Sequence, residues 1–230
     1  MDSNTQMNDY IHRQIKLEQN LINFIEKSDS TLDDFFNNID VDDISNNWEH
    51  LILFLRLLLS ISNNHHRHPS FFIKIEQILL FFRNAIVENF SNYQLFNFFK
   101  ENRQIILFLI SERFIYLQDN IFNEIVKFYD QYQFQIYHFL YPEIKPIITK
   151  ESQESQENFL INNDVNIQEH FDENRKIGEN DLYLCSLIRN DSYDEFIIYI
   201  NQKNLPLNST IIKPSIFETN LFLLDKKPTL

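Results

Sequence analysis

DLYLCSLIRNDSYDEFIIYIN, Asp181 to Asn201, reads as two short helices joined by a tight turn. Leu182, Cys185, Leu187 and Ile188 make one apolar stripe, and Phe196, Ile197 and Ile200 make a second. Between them Asn190-Asp191-Ser192 supplies the polar residues that turn the chain. Asp194 puts a negative charge at the start of the second helix, where the helix dipole favours it. Pro206 then leads the chain away. The spacing predicts an antiparallel helical hairpin.

Outward from this hairpin the helical period continues. Asp9 to Lys27 places Ile11, Ile15, Ile22 and Ile25 on one face, leaving Arg13, Lys16, Gln19 and Glu26 for water. Ser30 with Asp33 resembles a capping box, opening a short helix through Phe35, Phe36 and Ile39. Asp42 and Asp43 precede a helix expected from about Ile44 to Ser62, with Trp48 among its core residues. Pro69 suits the first turn of a helix that runs to Phe90, and Ser91 caps the next, Asn92 to Lys100. Further helices are expected over Arg103 to Leu117, Asp119 to Tyr132 and Gln133 to Tyr141, where Pro142 and Pro146 oppose continuation. LILFLR at 51–56, ILLFFR at 78–83 and IILFLI at 105–110 recur every 27 residues, a period that suits stacked helical repeats. The residues between the copies match poorly, so similarity among Phe-, Ile- and Leu-rich helices is the competing explanation.

Composition supports this reading. The 230 residues include 43% apolar side chains, enough for a sizeable core. Gly178 is the single glycine, where average usage near 7% would give about 16. Turns that need positive φ, and glycine-rich phosphate loops, are therefore disfavoured. The expected fold class is all-α: helical hairpins in a solenoid-like array, ending in a degenerate ankyrin-type helix pair. Three regions are expected: a helical N-terminal domain at 1–149, an acidic polar linker at 150–180, and the hairpin unit at 181–230. Lys150 to Asp181 opens with ESQESQEN and carries nine acids against Lys150, Arg175 and Lys176. Phe159, Leu160, Ile161, Val165 and Ile167 within it suit a short docked helix, and Gly178 lets the chain turn.

The formal charge of -13 opposes nucleic acid and anionic membrane surfaces and favours a basic protein partner. The lone Cys185 can form neither an intrachain disulfide nor a cysteine zinc cage, which suits a reducing compartment. The cytoplasm is the expected location, with the nucleus as the alternative. MDSNTQMNDYIHRQ lacks the basic and apolar regions of a secretory signal. The densest apolar run, Leu51 to Ile61, contains Arg56 and is shorter than the roughly 20 residues a spanning helix needs.

ENDLYLCSLIRNDSYDEFIIYINQKN followed by KPSIFETNLFLLDKKPTL resembles a domain of unknown function at the front of ankyrin-repeat proteins in large protist families. The resemblance spans Gly178 to Leu230, and YHFLYPEIKP at 137–146 with its preceding Phe-rich helices is similar to the earlier part of such proteins. It implies protein binding without catalysis. The chain departs from the family by ending at Leu230, where regular repeats would follow. It also lacks Thr-Pro-Leu-His and carries Asn190-Asp191-Ser192 where glycine is usual.

No catalytic, cofactor or metal-binding residues are expected. His65, His66 and His68 are the only clustered metal-capable side chains; a zinc or nickel site would need a third or fourth ligand and an outer shell, and beside Arg67 they suit a solvated loop or helix start. Cys185 sits in an apolar stripe without an activating base. Asp33-Asp34, Asp42-Asp43 and Asp172-Glu173 suit solvated helix starts. The expected function is a non-catalytic protein–protein interaction module with an unknown partner. The alternative is a truncated relative without its own binding array, weakly self-associating through LFLLDKKPTL at 221–230.

Overall fold

The computed structural model describes residues 3–27, 29–64, 69–127, 136–147, 170–178, 182–206 and 215–217. Every regular element among them is helical. The chain divides into two compact units, Met1–Leu95 and Phe96–Leu230.

The first unit contains α1 (Ser3–Glu26), α2 (Leu32–Asn37), α3 (Val41–Asn46), α4 (Trp48–Asn64), α5 (Pro69–Phe81) and α6 (Arg83–Asn89). Its core follows helical spacing. Helix α4 buries Leu51, Phe54, Leu55, Leu58 and Ile61, and α5 buries Phe71, Ile75, Ile78 and Leu79. Helix α1 adds Leu21, Phe24 and Ile25 from its last two turns. Phenyl rings join these helices: Phe24 stacks on Phe35 with centroids 5.0 Å apart, Phe36 on Phe81 at 3.7 Å, and Phe54 meets Phe82 at 4.9 Å. Each fully buried side chain of this core stabilises the unit by about 1.5–3 kcal/mol.

Several expectations shift here. Thr31, not Ser30, caps α2: its Oγ1 accepts from the Asp34 amide at 3.1 Å and donates to the Asp34 carboxylate at 2.6 Å. Ser30 Oγ instead donates to the Phe24 and Lys27 carbonyls at the end of α1. The helix expected over Ile44–Ser62 is two helices, because Asn47 adopts an extended conformation and its side chain accepts from the Glu49 and His50 amides. Asp40 caps the short α3 in the same way. Trp48 thereby opens α4 at the surface, 40% exposed, with its ring against Phe90 at 4.6 Å. The run from Pro69 also breaks, at the buried Phe82. Of the four isoleucines assigned to one face of α1, Ile25 is buried and Ile22 half-buried, but Ile11 and Ile15 are 46% and 45% exposed.

Helix α7 (Asn92–Phe99) crosses the unit boundary. Ser91 caps it as expected, since Ser91 Oγ accepts from the Gln94 amide and Gln94 Oε1 accepts from the Ser91 amide.

In the second unit are α8 (Arg103–Ser111), α9 (Asp119–Lys127), α10 (Tyr141–Ile144), α11 (Phe171–Ile177), α12 (Tyr183–Arg189) and α13 (Tyr193–Gln202). Asn102 caps α8 through the Ile105 amide at 3.0 Å. That helix stops well before Leu117. Arg113 takes a left-handed conformation, φ 59°, the Phe114 amide bonds Leu109 O and the Arg113 amide bonds Ile110 O. This is a Schellman cap, and the buried Phe114 supplies its apolar contact. The same closure ends α12 at Asp191, φ 51°, and α13 at Asn204, φ 50°. With little glycine in the sequence, residues with side chains occupy the left-handed sites. Pro142 opens α10 in its first turn, and Pro146 lies in the 3-10 turn Lys145–Ile147. Residues 128–135, including the expected end of α9, lie outside the described residues.

LILFLR lies within α4 and IILFLI within α8, whereas ILLFFR runs across the break at Phe82. Within the stretch assigned to the linker, α11 is folded, with Phe171 and Arg175 buried. Phe159, Leu160, Ile161, Val165 and Ile167 lie outside the described residues.

Candidate interaction surface

The hairpin predicted at 181–201 is present as α12 and α13, which pack on each other. The link bends at Asp191, whose backbone and that of Ser192 close the α12 cap. Asp194 and Glu195 fill the first turn of α13, as the dipole favours. The two apolar stripes are only partly covered. Leu187 and Ile200 are buried, whereas Cys185, Phe196 and Ile197 are half-buried. Leu182 at 46%, Tyr183 at 54%, Ile188 at 53%, Tyr193 at 70% and Ile198 at 55% face outward. The Tyr183 and Tyr199 rings meet edge to face across the pair at 5.2 Å. Leu182 and Ile188 thus lie outside the stripe to which periodicity assigned them. Five large apolar side chains remain exposed on this hairpin, with acids at the α13 start.

Around α8 and α11 a polar scaffold fixes the rest of this unit. Gln104 Nε2 donates to the Lys176 and Ile177 carbonyls, each at 2.9 Å, closing the end of α11. Gly178 follows with φ +68°, and a Cβ there would fall 2.0 Å from Gln104 Nε2. Its role is therefore close approach as well as turning. Arg175 donates to Phe139 O at 2.8 Å and Glu143 Oε2 at 2.6 Å, and it pairs with Asp172. Its guanidinium also lies over the Phe171 ring, 5.1 Å from the centroid. Arg103 donates to Ile216 O at 3.0 Å, and Phe217 is buried against Phe171 with centroids 5.4 Å apart. Long side chains of one helix thus cap the ends of others. None of these residues was singled out as a cap from the sequence, because the partners lie tens of residues away. Burial holds the His138 pKa below its ordinary value.

A comparable niche occurs in the first unit. Lys74 Nζ donates to Phe24 O at 2.6 Å, to Lys27 O and to Ser30 Oγ at 3.0 Å. It lies 4.9 Å from the Phe24 ring centroid, at the negative end of the α1 dipole. Desolvation lowers its pKa while Asp29 raises it.

The other candidates from the sequence lie on different elements. Asp33-Asp34, Asp42-Asp43 and Asp172-Glu173 each occupy the first turn of a different helix. His65, His66 and His68 lie outside the described residues, as does LFLLDKKPTL at 221–230. Among the described residues no group of three or more His, Cys, Asp or Glu side chains could hold a metal ion. Nor is any helix there long and apolar enough to cross a membrane. The chain matches no protein-family description, no curated protein and no solved structure.

Proposed function

We propose that this chain is a non-catalytic protein–protein interaction module, with α12 and α13 forming the binding surface. The observation that carries this reading is the combination of Leu182, Tyr183, Ile188, Tyr193 and Ile198 on one hairpin, each largely open to water. Tyrosine and isoleucine offer large contact areas, and few interface residues need to contribute strongly for useful affinity. Asp191, Asp194 and Glu195 border this surface, and the net charge of -13 would steer a basic partner towards the chain. The solenoid-like, degenerate ankyrin-type character of the hairpin belongs to the same proposal. It rests on the resemblance of Glu179–Asn204 and on the short antiparallel pair with its tight polar turn. A cytoplasmic setting suits a chain whose single cysteine, Cys185, can close no disulfide within it.

The test is affinity capture with the full chain beside a variant carrying Tyr183→Ser, Ile188→Ser and Ile198→Ser. A recovered protein is then purified and titrated against both chains. The proposal requires a specific complex that the variant loses and that weakens with salt. Equal binding by both chains would move the surface elsewhere.

A further inference from the structure

The outward side of α5 and α6 is uncharged, where a surface helix ordinarily carries charge. Along it Ile73, Gln77, Leu80, Asn84 and Val87 are all exposed, while Ile75, Ile78, Leu79, Phe82 and Ile86 on the other side are buried. The three aliphatic side chains of this stripe are 53%, 42% and 48% exposed, in chain order. The break at Phe82 does not end the stripe: the Phe82 amide donates to Ile78 O at 3.1 Å, and Phe82 O accepts from the Ile86 amide at 2.9 Å, both with helical spacing. The five exposed residues follow one another at four, three, four and three positions, the spacing of the two inward positions of a heptad. Ile73, Leu80 and Val87 take one of these positions, and Gln77 and Asn84 take the other. Phe81, stacked on Phe36 at 3.7 Å and itself exposed, borders the stripe and widens its apolar surface.

We propose that this face of α5 and α6 pairs, in parallel and in register, with the same face of a second copy of this chain. The division of side chains between the two heptad positions selects both occupant and direction. In a parallel pair each position meets its own kind, so Ile73, Leu80 and Val87 pack on their copies. The Gln77 and Asn84 amides each carry donor and acceptor, and each satisfies its copy. In an antiparallel pair the two positions face each other, and every register sets an amide against an aliphatic side chain. Charge agrees with the parallel arrangement. Arg83 and Glu88 flank the stripe five residues apart, at the positions that oppose each other between parallel strands, which gives two opposite-charge contacts in a symmetric pair. Glu76 then meets the uncharged Phe81, whereas a slip of one heptad would set Glu76 against Glu88. The stripe is short and contains two amide layers, which fix register at a cost in stability, so the dimer is weak and concentration-dependent. It uses other helices than the α12–α13 binding surface and stands independently of that reading.

Sedimentation equilibrium of the full chain over a roughly hundredfold range of concentration reads this directly. The expected result is a reversible monomer–dimer equilibrium that Leu80→Ser abolishes. Glu88→Arg weakens dimerisation by about three- to tenfold, and adding Arg83→Glu restores it, because the pair is then reversed and no longer like-charged. Leu80 and Glu88 are exposed, so unchanged thermal unfolding of these variants confirms that the fold persists. Direction is read by cross-linking: in a Cys185→Ser chain, Gln77→Cys forms an interchain disulfide on mild oxidation, since a parallel pair sets residue 77 against its own copy. A monomer at every concentration overturns the proposal. So does a dimer indifferent to Leu80→Ser, which would place self-association elsewhere on the chain, or a dimer that Gln77→Cys cannot cross-link. A monomeric parent that captures a different protein, and loses it on Leu80→Ser, would overturn the proposal by giving this face to that protein.

Discussion

Replacing Gly178 by alanine gives the most decisive test of how the second unit is held. The left-handed backbone at φ +68° costs an alanine about 1–2 kcal/mol. The added Cβ would also lie 2.0 Å from Gln104 Nε2 and 2.3 Å from its Cδ, so the amide must withdraw. Withdrawal removes its two bonds to the Lys176 and Ile177 carbonyls, each contributing about 0.5–1.5 kcal/mol. Together these terms destabilise Gly178→Ala by about 2–5 kcal/mol. Gln104→Ala alone loses the same two bonds and costs about 1–3 kcal/mol. In the double variant those bonds cannot be lost twice, so its cost falls short of the sum by about 1–3 kcal/mol. Urea unfolding followed by far-UV circular dichroism measures all four corners of the cycle. Additive costs, or a Gly178→Ala chain within about 0.5 kcal/mol of the parent, would refute this account of the contact.

Three other outcomes follow from the caps and from burial. Lys74→Met keeps the stem but removes the donors at the end of α1; Ser30 still bonds the same carbonyls, so the expected loss is about 1–3 kcal/mol by urea unfolding. Arg113→Gly relieves a left-handed side-chain residue in the α8 cap and should stabilise by about 0.5–1 kcal/mol, read as a higher unfolding midpoint. Because burial lowers the His138 pKa below its ordinary 6.5, the unfolded chain takes up that proton first as pH falls. The His138 contribution is therefore complete above 6.5 and declines from there towards its lower folded value; His138→Leu should flatten this part of the stability–pH profile.

The helical class was legible because apolar residues recur with the helical period and glycine is nearly absent. Ser91 with Gln94, and Asp194 in the first turn of α13, could likewise be read locally. Boundaries were harder where one residue has two local uses. Asn47 lies inside a continuous apolar-periodic run, yet its side chain satisfies the first amides of α4 and splits the helix. Ser30 and Thr31 both suit a helix start, and the choice follows from Ser30 turning back to the end of α1. Arg113 gives no usual sign of a left-handed cap; burial of Phe114 and Ile115 just beyond it supplies the reason to turn. The hairpin could be read as an element, but its degree of coverage could not. Periodicity marks which residues are apolar, whereas only the tertiary arrangement leaves Leu182 and Ile188 open while burying Leu187.

Calorimetric titration of a purified captured partner, into the full chain and into its Tyr183→Ser, Ile188→Ser, Ile198→Ser variant, tests the binding role of α12 and α13 most directly. The parent should bind with saturable stoichiometry, and the folded variant should lose at least about tenfold in affinity. Undiminished binding by that folded variant would contradict the assignment of this surface.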